Sequence, residues 1–117
     1  MVWFNVDDGF HAHPKAVHLS LAARGLWVTA GAWSACYLTD GVIPRIACST
    51  WGIGNPRAIN AAAKELVENN LWRESVDGWE FVNWLEYQRS REEVEGKRAK
   101  DRSRKSRQRR GSGGKYE

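Results

Sequence analysis

All seven tryptophans of this 117-residue chain lie before Lys97, and beyond that point only one aromatic, Tyr116, remains. A packed core needs large apolar side chains, so folding is confined to about the first 90 residues. The charge divides at the same place. Residues 1–96 carry eight Lys/Arg against twelve Asp/Glu, a net of −4, whereas residues 97–110 carry nine Lys/Arg and one Asp, a net of +8. The overall +4 therefore belongs to the run KRAKDRSRKSRQRR and not to the body.

Such a run has nothing to bury, and alone in water it is expected to be disordered or only nascently helical. One reading makes it a solvated terminus or a localisation signal. The other makes it a contact with phosphates, because clustered cations displace condensed counterions. Its six Arg against three Lys suit bidentate recognition better than charge alone requires. Residues 111–117, opening with GSGG, read as a flexible end.

The rest of the composition narrows the function classes. No run approaches the roughly 18 apolar residues of a membrane span. The start, MVWFNVDDGF, lacks the basic-then-apolar pattern of a secretory leader. A bacterial cytoplasm is the expected compartment, and Cys36 and Cys48, each among apolar neighbours, are expected to be buried free thiols. No nucleophile stands with a base, and Gly52-Ile53-Gly54 lacks the further glycines, Lys and Ser/Thr of a phosphate loop. His11, His13 and His18 form an H-x-H-x4-H string, but no Cys or carboxylate set completes a tight metal site. Local structural roles, with Nδ1 bonded nearby, are expected for them. The reading is non-enzymatic, with no cofactor.

Helical and strand periodicities order the body. Trp3 to Val6 is a short apolar strand or strap, followed by an Asp7-Asp8-Gly9 turn. Pro14, Pro44 and Pro56 each precede a stretch with helical spacing, where a first-turn proline loses no needed hydrogen bond. From residue 19 to 37 the stripe Leu19, Ala22, Ala23, Leu26, Ala30, Trp33, Tyr37 is helical, with Ser20 as its cap. A second stripe through Trp27, Gly31 and Leu38 makes this helix apolar nearly all round. It is either the central buried helix or partly a contact with a second subunit. Asp40-Gly41 ends it. Residues 44–51 form a short second helix, and Asn55-Pro56 caps and starts a third, with Ile59, Ala62, Ala63 and Leu66 inward and Asn69-Asn70 as its stop. Two β-prone runs, 71–76 and 79–84, flank Asp77-Gly78, a strong hairpin pattern. From Leu85 on, charge dominates. An exposed helix is expected there, with Ser90 and Glu93 as a capping box and a Glu93 to Lys97 ion pair.

Helix, short helix, turn, helix, hairpin is the winged helix-turn-helix order. The expected fold class is α+β, mainly helical: a winged helix-turn-helix domain over residues 1–88 with a two-stranded hairpin. A charged helix over 89–110 then runs into the basic tail, and 111–117 is flexible. The segments WFNVDDGFHAHPK, LAARGLWVTAGAWSACYLTDGVIP, KELVENNLW and GWEFVNWLEYQRSREEVE resemble small helix-turn-helix proteins of actinobacterial phages and prophages. Those are similar to the N-terminal winged-helix domains of phage replisome-organiser and replication-initiation proteins. The likeness spans roughly residues 2–96, and WEFVNWLEYQ with the charged helix after it is its most specific part. It implies DNA binding in phage replication or gene control.

In that frame the third helix is the reading element. Arg57, Asn60, Ala61 and Lys64 are its candidate DNA contacts: Arg pairs bidentately with guanine, Asn pairs with adenine, and Ala allows close approach. Glu65 and Glu68 weaken the field beyond its second turn. Asp77 at the hairpin tip, flanked by Glu74 and Glu80, should repel phosphate, leaving Arg73 at the hairpin base as a backbone contact. Lys97, Arg98, Lys100, Arg102, Arg104, Lys105, Arg107, Arg109 and Arg110 are the remaining backbone contacts. The expected partner is DNA, double-stranded, without a membrane and with a homodimer possible in principle. A module binding a host replication or transcription protein, and an RNA binder acting through the Arg-rich tail, stay open as alternatives.

Overall fold

Ser20 starts the first helix: its Oγ accepts from the Ala23 amide at 3.1 Å, and α1 runs Leu21–Tyr37. The computed structural model describes residues 2–111, with side chains through Lys105. It is an α+β fold, about 54% helical. After α1 come β1 (Val42–Pro44), α2 (Arg45–Cys48), α3 (Pro56–Glu68), β2 (Trp72–Ser75), β3 (Gly78–Phe81), α4 (Trp84–Tyr87) and α5 (Arg91–Gly111). The strands form an antiparallel sheet in the order β1-β3-β2.

The core lies between α1, α3 and the inner face of the sheet. Ala23, Leu26 and Ala30 of α1 meet Ile59, Ala62, Ala63 and Leu66 of α3, over Ile43, Trp72, Trp79 and Phe81 of the strands. The N-terminal segment crosses this core as a strap. Phe4 sits edge-on to Trp27 and Phe81, at 5.0 and 5.8 Å between ring centroids, and stacked with Trp84 at 5.8 Å. Gly31 makes room for it, since a Cβ there would collide with the Phe4 Cζ.

Several expectations need correction. The two-stranded hairpin is part of a three-stranded sheet. The added strand β1 is only three residues long and ends in a proline, so no local periodicity announces it; it exists because Ile43 pairs with Trp79. The hairpin turn is Val76-Asp77, one residue earlier than expected, because Gly78 belongs to the sheet. There β1 passes so close that a Cβ on Gly78 would collide with the Ile43 carbonyl oxygen and lie 2.6 Å from the Arg45 nitrogen. Pro14 precedes turns and not a helix, and the Arg24 guanidinium ties that segment down through the carbonyls of Ala16, Val17 and Leu19. Helix α1 is buried on one side only: Leu21 and Val28, seven residues apart on its outer face, are exposed, as is Tyr37 at its last position. Cys36 shares that exposure, and only Cys48 is buried.

The basic run is helical too. At the start of α5 the ion pair is Arg91 to Glu95 at 2.9 Å, in place of Glu93 to Lys97. The helix persists because its first turn is nucleated on the body, and its acidic start and basic end both suit the helix dipole.

Gly78→Ala should lower stability by about 2–3 kcal/mol in urea unfolding, because backbone atoms of β1 and α2 cannot give way to the added methyl. Burial pushes the Cys48 thiol up from its ordinary 9.0 to about 11. The unfolded chain then loses this proton first, so Cys48 should reduce stability as pH rises from about 9 to about 11. At pH about 8 a thiol reagent should modify Cys36 alone in the folded protein and both cysteines in urea, counted by mass.

Candidate nucleic-acid interface

Asn55 and Pro56 set the entry of α3. The Asn55 Oδ1 accepts from the Ala58 amide at 2.8 Å, and Pro56 occupies the first turn, where it has no amide to lose. With Ile59, Ala62, Ala63 and Leu66 inward, the 3.6-residue repeat turns Arg57, Asn60, Ala61 and Lys64 to solvent, and all four are exposed. They form one outer stripe at helical spacing.

The field at this stripe is less acidic than the sequence suggested. Glu65 points away from it: its carboxylate accepts from the Ser20 amide at 2.9 Å and from the Ser20 hydroxyl at 2.6 Å. It thereby clasps the cap of α1 to α3. Glu68 is left as the acid on the exposed side of α3.

Arg73 is committed elsewhere. It lies on the outer face of the sheet in an ion pair with Glu80, so the backbone contact expected of it competes with a neighbouring carboxylate. At the hairpin tip Glu74 and Asp77 are exposed, and Val76 is almost wholly so. Arg45, which sequence reasoning passed over, opens α2 beside this hairpin. Its guanidinium lies 4.7 Å from the Trp79 ring centroid, and its amide donates to the Asp77 carbonyl at 2.8 Å. Only the β1–β3 pairing brings Arg45 there, so no local pattern could have shown it.

Helix α5 is rooted by three contacts. The Asp40 carboxylate accepts from the Arg91 amide at 2.7 Å, Ser90 Oγ accepts from the Glu93 amide at 3.1 Å, and Val94 is buried. The serine half of the expected capping box is thus present. The strap is held alongside: the Asn5 amide donates to Gln88 Oε1 at 2.8 Å, and Gln88 Nε2 donates back to the Asn5 carbonyl at 2.7 Å. Lys97, Arg98, Lys100, Arg102, Arg104 and Lys105 are all exposed along α5. Asp101 is engaged by Arg104 at 3.4 Å. The backbone of Arg107, Arg109 and Arg110 continues the helix, and their side chains lie outside the described residues.

The expected contacts therefore fall into two groups. The stripe on α3 is carried by an element packed on α1 and β2, whereas the cations of α5 are carried by an element tied to Asp40 and the strap. Among the described residues no three His, Cys, Asp or Glu side chains converge for a metal. His11 Nδ1 lies 3.1 Å from the Asp8 carbonyl, and His13 Nδ1 accepts from the Lys15 amide at 3.0 Å. Compared with protein-family models, with curated proteins and with solved structures, the chain gives no match.

Asp40→Ala should speed amide hydrogen exchange at residues 91–94 while leaving α1 and α3 protected. The expected loss at the α5 end is about 1 kcal/mol, that of an N-terminal cap.

Proposed function

We propose that this chain is a non-enzymatic DNA-binding protein of winged helix-turn-helix type. The observation that carries the reading is the exposed stripe of Arg57, Asn60, Ala61 and Lys64 on a capped helix, pointing away from the core. The element order supports it: a helix, a strand, two helices and a hairpin, with the first strand beside the hairpin in the sheet, is the order expected of a winged-helix domain. In that arrangement α3 enters the major groove of a duplex and α5 lies along phosphates. The acidic hairpin tip stays out of the minor groove. The resemblance to phage helix-turn-helix proteins extends this to a phage or prophage protein acting in replication initiation or transcriptional control, in the cytoplasm of a bacterial host.

The division of labour follows from charge. The body is net acidic, so α5 supplies most of the salt-sensitive affinity, and α3 supplies the sequence preference. A second reading, a contact with a host protein or a second copy, is favoured by the outer face of α1, where Leu21 and Val28 stand exposed one above the other.

If about six cations of α5 engage phosphates, log K for duplex DNA should fall against log salt with a slope near −5. Removing residues 97–117 should flatten that slope, and unchanged duplex affinity after the removal would rule out α5 as the anchor. Arg57→Ala should cost about 1–3 kcal/mol on a preferred duplex and relax the preference at one base pair, read by selection from a random pool. An equal loss on every sequence would make Arg57 a phosphate contact.

A further inference from the structure

Six of the seven tryptophans are buried or half-buried, and Trp3 is the exception, at 74% exposed. It is not on a frayed end. Phe4 beside it is locked in the aromatic core, and Asn5 is hydrogen-bonded twice to Gln88 and, through Nδ2, to the Tyr87 carbonyl at 3.0 Å. The strap backbone beside Trp3 is therefore held, and the indole projects from it at the surface.

Trp3 forms one wall of a cleft of about 360 Å³ between the strap and the start of α5. Three cations, Arg89, Lys97 and Arg98, line the same cleft. Among the described residues none of the three has a carboxylate within ion-pair distance. Asp101, the acid in the cleft, is drawn to Arg104. An aromatic face held open beside several cations is what binds a stacked base together with its phosphates.

We propose that this cleft is a stacking site for an unpaired nucleobase, with Trp3 under the base and Arg89, Lys97 and Arg98 on the flanking phosphates. The ligand class is single-stranded nucleic acid. The interior of a duplex cannot use the site, because its bases are already paired and stacked on both faces. The inference rests on the nucleic-acid reading above, but it concerns a different surface from the α3 stripe. It places a strand-binding cleft at the root of the helix that grips phosphates, so one molecule can hold a duplex beside an opened strand.

The test uses the full chain with an oligothymidine of about 12 nucleotides, the matching oligouridine, and a blunt duplex. Trp3→Ala should weaken oligothymidine binding about five- to hundredfold, the loss expected for one stacked base, and Trp3→Phe should restore most of it. Duplex affinity should change by less than about twofold. Quenching of tryptophan fluorescence by the oligonucleotide should be largest in the parent protein and largely lost in Trp3→Phe, which keeps a ring but removes the reporter. Comparable binding of oligouridine supports a site indifferent to the sugar, and weaker binding supports one tuned to DNA. The proposal is overturned if a folded Trp3→Ala variant keeps its single-strand affinity, or if single strands do not bind while the duplex does; the winged-helix reading then stands. An equal loss on single strand and duplex would also overturn it, making Trp3 a support for the strap. Failure to bind any of the three would overturn both readings.

Discussion

The Phe4 ring, seated over Gly31 and against Trp27, Phe81 and Trp84, is the contact on which the placement of everything else depends. One side chain joins the strap, α1, β3 and α4. Each such aromatic pair contributes about 0.5–1.5 kcal/mol beyond the burial itself. With Phe4 fixed, Asn5 reaches Gln88, and the segment after α4 is held where Asp40 can cap α5. The direction of the basic helix is therefore set by packing some 90 residues upstream in sequence, about one domain length.

A second dependence runs through backbone proximity. Gly78 lets β1 lie against β3, and that approach brings Arg45 onto the Trp79 ring and joins α2 to the hairpin tip. The region between α1 and α3 is closed in a similar way by Glu65, which leaves the outer stripe of its own helix to bond the cap of α1. Two acidic positions expected to oppose DNA thus differ in consequence. Glu65 is consumed by structure, and Glu68 remains at the exposed face. The Glu65 carboxylate keeps its charge but is turned off the α3 stripe.

The electrostatic design is one of separation. Body and tail carry opposite net charge, and α5 repeats this within itself, acidic in its first turn and basic beyond. The order suits the helix dipole at both ends. A helix capped from the body also presents its cations at fixed positions, one or two residues apart on a rise of about 1.5 Å per residue, where a disordered tail would present them at random.

Much of this was legible in the sequence. Caps at Ser20 and Asn55, the inner face of α3, the existence of the hairpin and the exposure of Arg57, Asn60, Ala61 and Lys64 follow from local chemistry: side-chain oxygens meeting free amides, and apolar residues recurring every three or four positions. The division between core and basic run is equally a property of the chain itself. Tertiary structure alone decided the rest. Strand β1 is too short to have a periodicity and forms only because β3 offers it a partner; Gly78 is a packing glycine because of that strand. Arg73 is paired and Glu65 diverted because residues distant in sequence arrive beside them. The basic run is a helix because Asp40, from another part of the chain, meets its first amide. Local patterns record how a residue treats its near neighbours and water, and only the fold determines which distant group it meets.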